Sequence, residues 1–184
     1  QFLSNDISQI DAVLFTHLHY DHVGGLGELR TLSFLANRRL EVFGTQDVLD
    51  GLERSAGYLF KADASDDENL YKPSAEARPI VYGEAFEAEG AHVLPFCQDH
   101  GICDSAGFRF GKFAYSTDVA LLDDAAFAAL EGIEVWVVDC LREKPHPTHA
   151  HFERTLEWVD RVKPKRAIFT HMSLESDYAD TLAR

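Results

Sequence analysis

Four side chains able to bind a metal ion fall within six residues of this chain, in His17-Leu18-His19-Tyr20-Asp21-His22. They directly follow the apolar run Asp11-Ala12-Val13-Leu14-Phe15-Thr16, which reads as a short buried strand. A loop leaving such a strand emerges at the edge of a sheet. In an extended loop alternate side chains project to one side, so His17, His19 and Asp21 can converge. If a helix begins near Asp21, His22 turns away and can serve a second ion close by, while Gly24 and Gly25 let the backbone turn beneath. The other histidines are bunched as well, at 92 and 100, at 146, 149 and 151, and at 171. Nine histidines against one methionine, grouped in this way, are a metal-site signal.

Composition removes several classes. The 184 residues are 46% hydrophobic and 26% charged, which excludes a disordered chain and suits one domain, residues 1–184, with a real core. No apolar run approaches the roughly 20 residues of a membrane-spanning helix, so no membrane is expected. Seventeen Lys+Arg against 31 Asp+Glu leave a net charge of −14. That balance argues against binding long nucleic acid, although a local basic pocket for one phosphate stays compatible with it. Three cysteines, at 97, 103 and 140, are an odd number and argue against a disulfide framework, making a reducing, cytoplasmic setting the default. The chain opens at Gln1 without a start methionine or signal peptide, which reads as a piece of something longer.

Along the chain, apolar residues at 26, 29, 32 and 35 predict a helix from Leu26 to Asn37, followed by a strand at Leu40–Gly44. Thr45 is a candidate N-cap for a helix over Gln46–Leu59, with Val48, Leu49 and Leu52 inward. Residues 61–78 are polar and acidic and read as a surface insertion or lid. Short β segments follow at Pro79–Tyr82, Ala85–Ala88, His92–Phe96, Gly107–Phe110 and Lys112–Ser116, separated by glycine-bearing turns. A helix is expected at Leu121–Leu130, a buried strand at Val135–Asp139, an amphipathic helix at Phe152–Val162, a strand at Arg166–Thr170 and a helical end.

His-x-His-x-Asp-His after a strand resembles the signature of the metallo-β-lactamase superfamily. Later segments agree in order: His100 in Gln98-Asp99-His100-Gly101, Asp118 in Tyr115-Ser116-Thr117-Asp118, and His171 in Ile168-Phe169-Thr170-His171-Met172. The resemblance implies an α/β (α+β) chain folded as a four-layer αββα sandwich that holds two divalent metal ions. The family's first strands, with their glycine-rich start, and its final strand have no counterpart within residues 1–184. Carried over, His17, His19 and His100 hold one metal, Asp21, His22 and His171 hold the other, and Asp118 bridges both. Histidine and carboxylate ligands suit Zn²⁺, Mn²⁺ or Fe.

Aspartate rather than cysteine at 118 is closest in look to the phosphodiesterase branch of the superfamily, which includes phosphoribosyl 1,2-cyclic phosphate phosphodiesterase and, more distantly, tRNase Z. That branch places a further histidine between the bridging aspartate and the last ligand, and Thr148-His149-Ala150-His151 occupies the place. His149 matches the spacing better than His151, and His146 least. The implied reaction is attack on a small cyclic phosphate or nucleotide-like phosphodiester by a hydroxide shared between the metals. In it Asp21 orients the nucleophile and His149 contacts the phosphate or protonates the leaving group. Arg142 and Lys144 are candidates for holding a substrate phosphate, or plain solvated surface. Cys97-x-x-His100-x-x-Cys103 has the spacing of a structural zinc site but no second paired motif, and Cys140 reads as a small core residue.

Two other classes stay open. One is a different hydrolase on the same scaffold, a thioesterase of the glyoxalase II type or a nuclease. The other is a non-hydrolytic di-metal redox or binding protein. Exposed sheet edges could support a homodimer, but nothing in the sequence requires one.

Overall fold

The computed structural model describes residues 3–7, 9–61, 72–176 and 179. The chain divides into two compact units, Gln1–Val81 with Ala88–Gly90, and Tyr82–Glu87 with Ala91–Arg184.

In the first unit three parallel strands, β1 (Ala12–Leu14), β2 (Leu40–Gly44) and β3 (Ala75–Pro79), form a sheet in that order. Helices α1 (Tyr20–Val23) and α2 (Leu29–Ala36) lie between β1 and β2, and α3 (Gln46–Ala56) lies between β2 and β3. Strand β2 is the middle strand, with Leu40 and Val42 wholly buried on one face and Phe43 nearly so on the other. The inward stripe expected on α3 is present, as Val48, Leu49, Leu52 and Ala56 are buried. Thr45 holds the N-cap position in extended backbone, although its hydroxyl makes no capping bond.

Four expectations are corrected here. Strand β1 is three residues long and half-buried; the buried residues are Phe15, Thr16 and His17, which follow it. Leu35 is 67% exposed, because Leu29 and Leu35 share one α-helix, in which successive i+3 steps drift away from the buried side; a 3₁₀ turn at Leu26–Glu28 precedes it. Six residues beyond Leu29, Leu35 points about 120° off the buried side. The helix over Gln46–Leu59 is α-helical to Ala56 and 3₁₀ from Gly57 to Leu59. Lastly, residues 75–78, assigned to the insertion, are sheet, and the strand expected at Pro79–Tyr82 is instead Ala75–Pro79. Its small alanines give a weak alternation signal, and its partner β2 lies more than 30 residues back. The rest of the insertion, at 62–71, and most of the helical end lie outside the described residues.

The second unit carries a sheet in the order β4 (Phe86–Ala88), β5 (Ala91–Asp99), β6 (Asp104–Phe110), β7 (Phe113–Ser116), β8 (Val135–Asp139), β9 (Arg166–Thr170). Strands β5, β6 and β7 run antiparallel through short glycine-bearing turns, with Gly101 and Gly111 at positive φ. Strands β7, β8 and β9 are parallel and are joined by α4 (Asp124–Leu130) and α5 (Phe152–Val162). Helix α4 starts later than Leu121 because the Asp123 carboxylate accepts from the Ala126 N–H at 2.7 Å and caps it. The core gathers Phe96, Leu130, Trp136, Val138 and Trp158. Trp136 is fully buried, and its indole N–H donates to the Ser116 hydroxyl at 3.0 Å.

The registers Ser116↔Val138 and Asp139↔Thr170 bring the C-terminal ends of β7, β8 and β9 to one edge. Residues 118, 139 and 171 therefore leave the sheet side by side, whatever their separation in sequence. Among the described residues no helix is long and apolar enough to cross a membrane.

Gly107 on β6 faces Phe96 across the ladder, and a Cβ there would stand 2.3 Å from the phenylalanine ring. Gly107→Ala is expected to cost about 1–3 kcal/mol through overpacking. Gly25→Ala, with ordinary φ and nothing within 4 Å, should cost far less. Thermal unfolding of the two variants checks the contrast; equal melting temperatures would contradict it.

Candidate metal centre

Within the first unit, the chain leaves β1 and buries His17 almost completely. The Phe15 N–H donates to the Phe43 carbonyl at 2.8 Å, so pairing persists just past the strand and fixes where His17 emerges. His17 Nδ1 and the Thr16 hydroxyl are 3.0 Å apart. If Nδ1 carries the proton, it donates to Thr16 and leaves the Nε2 lone pair for a cation. His19 is the N-cap of α1, and its ring centroid stands 4.5 Å from that of His17. His22 lies one turn into the helix, with its ring 4.4 Å from His17 and Nε2 3.2 Å from the exposed Asp21 carboxylate. Asp21 is thus on a helix, not in the extended loop expected, and its nearest donor partner in the segment is His22.

Within the second unit the donors surround Asp118, which is 1% exposed. Its Oδ1 is 3.3 Å from His171 Nε2, and its Oδ2 is 3.7 Å from His100 Nε2 and 4.0 Å from His149 Nε2. Two donors bound at about 2.0–2.2 Å to one tetrahedral cation stand about 3.3–3.6 Å apart. The first spacing falls in that range and the second just above it, with His171 on one carboxylate oxygen and His100 on the other. The donor set is imidazole and carboxylate throughout, so it fits Zn²⁺ or Mn²⁺.

Asp118 and His171 both have left-handed backbone, at φ 52° and 58°. This conformation costs a non-glycine residue about 1–3 kcal/mol and persists only where its surroundings enforce it. At Asp118 the Ser105 hydroxyl donates to its carbonyl at 2.8 Å, and the Thr117 hydroxyl donates to Oδ1 at 2.7 Å. His100 follows β5 directly, and its Nδ1 lies 2.6 Å from the Thr148 carbonyl. A carbonyl only accepts, so Nδ1 carries the proton and Nε2 presents its lone pair toward Asp118. Gly101 is required beside it: φ is +84°, and a Cβ would meet the Pro147 carbonyl at 2.7 Å.

Sequence reasoning missed Asp139. It ends β8 wholly buried, and its Oδ2 accepts from the Val119 N–H and from His149 Nδ1, each at 3.0 Å. The Thr155 hydroxyl donates to its carbonyl at 2.8 Å. His149 is thereby held in one tautomer, Nδ1–H toward Asp139 and Nε2 toward Asp118, with its ring stacked on His171 at 4.8 Å. Asp139, His149 and His171 offer ligand atoms that all lie within 4.8 Å of one another. The signal was present: a carboxylate ending the run Val135-Trp136-Val137-Val138, at the same sheet edge where Asp118 follows β7.

The remaining candidates are placed differently. His151 is the N-cap of α5, and among the described residues its buried Nδ1 has no hydrogen-bond partner. Arg142 donates Nε to the Lys144 carbonyl and Nη2 to the Pro145 carbonyl, so it braces its own loop. His146 has its ring 5.2 Å from His149 and is held below the ordinary imidazole pKa, first by burial and then by the positive neighbours His149 and Arg142.

All three cysteines are free, and Cys140 is buried as expected. Burial, reinforced by Asp104 and Asp123, pushes the Cys97 thiol up to about 11, and burial also raises Cys103. Among the described residues neither thiol belongs to a group of side chains close enough to hold one ion. His100 faces Asp118 instead.

The beta-lactamase superfamily domain matches residues 1–172. Among curated relatives, the chain is 30% identical over 174 residues to an octanoyltransferase of Porphyromonas gingivalis, covering 94% of this chain and 34% of that protein. It is 27% identical over 165 residues to the anti-Pycsar protein Apyc1 of Paenibacillus harenae, covering 85% of this chain and 66% of that one. The chain thus spans a third to two thirds of the length of these relatives. A crystal structure of a diphosphatase from the PhnP family superposes with a TM-score of 0.87 at 31% identity, covering 100% of this chain and 68% of that one.

Metal content measured on protein purified without chelator should be unchanged by Cys97→Ala or Cys103→Ala, and should fall with His100→Ala. Loss of an ion in either cysteine variant would restore the structural-zinc alternative.

Proposed function

This chain belongs to the beta-lactamase superfamily, and from that premise we propose that it is a dinuclear metal-dependent hydrolase acting on a small phosphodiester. The observation that carries the proposal is the buried Asp118 carboxylate, which turns one oxygen to His171 and the other to His100. A carboxylate so placed can serve two cations at once. On this proposal His17, His19 and His100 would hold one ion, Asp21, His22 and His171 would hold the other, and Asp118 would serve both. Within the first unit the rings of His19 and His22 stand against that of His17, and within the second His100 and His171 face Asp118. Likeness to a PhnP-family diphosphatase supports chemistry at a phosphoryl group.

Two divalent cations bound there, Zn²⁺ or Mn²⁺, supply Lewis acidity toward phosphoryl oxygens and lower the pKa of a water. The chain's own part falls to His149 and Asp139. Asp139 fixes the His149 Nδ1 proton, so Nε2 is the nitrogen that takes up or gives a proton on the side of Asp118. When protonated at both nitrogens, His149 can hydrogen-bond a non-bridging phosphoryl oxygen or deliver a proton to the leaving alkoxide. Such general acid work contributes typically about 10²–10⁴-fold. Asp139 touches no reacting atom and acts through His149, as a positioning residue. On this reading Asp21, exposed beside His22, would orient the attacking water. The three free cysteines support a reducing, cytoplasmic setting.

With bis-p-nitrophenyl phosphate as substrate, wild-type protein should carry close to two ions per chain and turn over. Asp118→Ala should lose both metal and activity. Two ions with hydrolysis of a thioester and none of the phosphodiester would contradict the substrate class. His149→Ala should keep its metal and lose about 10²–10⁴-fold in kcat. Asp139→Asn should also keep its metal while kcat falls and the pH profile shifts, because the amide no longer holds the Nδ1 proton; an unchanged profile would leave Asp139 a merely structural role.

A further inference from the structure

At the opposite end of the first unit's parallel sheet lies a surface cavity of about 590 Å³, lined among others by Arg30, Phe34, Arg38, Arg39 and Lys72. The segment 37–39 enters β2 at Leu40 and the segment 72–74 enters β3 at Ala75. His17 leaves from the far end of β1, which is parallel to both. One strand length, about 15 Å at roughly 3.3 Å per residue, separates the two places. This cavity is therefore not part of the metal centre.

Its chemistry departs from the rest of the chain. In a protein of net charge −14, four cationic side chains line one cavity. Arg38 is committed, with Nη1 on Glu89 at 2.5 Å and Nη2 on the Asp11 carbonyl at 3.1 Å. Its place is set by the buried Ser33, whose hydroxyl donates to the Arg38 carbonyl at 2.6 Å. Among the described residues no ion-pair partner is found for Arg39 or Lys72. Beside them Phe34 is 84% exposed, an unusual position for a large aromatic side chain. Arg30 and Phe34 are one turn apart on the same stripe of α2. Cations after a helix C-terminus complement its dipole, which accounts for Arg38 and Arg39. It accounts for neither Lys72 nor the exposed ring.

We propose that this cavity binds a nucleotide, its phosphate held by Arg39 and Lys72 and its base stacked on Phe34. An aromatic face beside cations is the arrangement that receives a base together with its phosphate, and the volume lies in the range of small-ligand sites. The acidic remainder of the surface disfavours a long polyanion, so the ligand is a free nucleotide, not a strand of nucleic acid.

The test is fluorescence anisotropy with N-methylanthraniloyl-AMP on the full chain, with and without chelator, each sample checked by far-UV circular dichroism. Binding should survive the chelator and weaken as salt rises from about 50 to about 200 mM. Arg39→Ala with Lys72→Ala should raise Kd about tenfold or more, and Phe34→Ala should weaken AMP while leaving competition by inorganic phosphate unchanged. Binding that vanishes with chelator would assign the nucleotide to the metal centre and overturn the proposal. So would wild-type affinity in the double variant. A short single-stranded oligonucleotide bound far more tightly than AMP would overturn the choice of a free nucleotide. Phosphate competing as well as AMP, with no effect of Phe34→Ala, would reduce the site to a plain anion pocket.

Discussion

A carboxylate with almost no exposure, set among three histidine rings, is the feature on which the rest of the second unit depends. Taken alone, Asp118 would be costly to bury as an anion. Its left-handed backbone adds to that cost, and the hydroxyls of Ser105 and Thr117 offset only part of it. The arrangement becomes intelligible once a positive charge is allowed between Asp118 and its histidines. Their separations, too long for strong hydrogen bonds and close to ligand–ligand distances around a cation, have the same explanation.

The sheet supplies the geometry that chemistry needs. Parallel strands end at a common edge, so β7, β8 and β9 deliver Asp118, Asp139 and His171 together although more than 50 residues separate the first from the last. The two aspartates are then fixed by bonds from outside their own strands, Asp118 by the Ser105 hydroxyl. Asp139 is held by Val119 and Thr155, and His149 is held in turn by Asp139. Such supporting bonds keep a ligand or an acid within a few tenths of an ångström of its working position.

How much of this was legible in the sequence follows from the range of the forces involved. Elements set by local patterning were read correctly: the inward stripe of α3, the apolar run of β8, the amphipathic α5 and the strand before His171. The candidate ligand segments stood out in the sequence for a chemical reason, since ligand-type side chains bunch where strands end. What escaped depends on distant partners. The alanines of β3 give no alternation strong enough to outweigh the acidic stretch before them, and only the parallel ladder with β2 makes 75–79 a strand. Leu35 was misplaced because a strict three-residue spacing drifts off the buried side of an α-helix. Asp139 carries no local mark of its role, because that role comes from His149, ten residues on and across the sheet edge.

The central claim is that one carboxylate links two ions, and electron paramagnetic resonance of protein loaded with two equivalents of Mn²⁺ tests it most directly. A bridged pair predicts an exchange-coupled multiline spectrum with hyperfine spacing half that of isolated Mn²⁺, replaced by uncoupled signal in Asp118→Ala. Two bound ions giving only the spectrum of isolated Mn²⁺ in the wild-type protein would contradict the account.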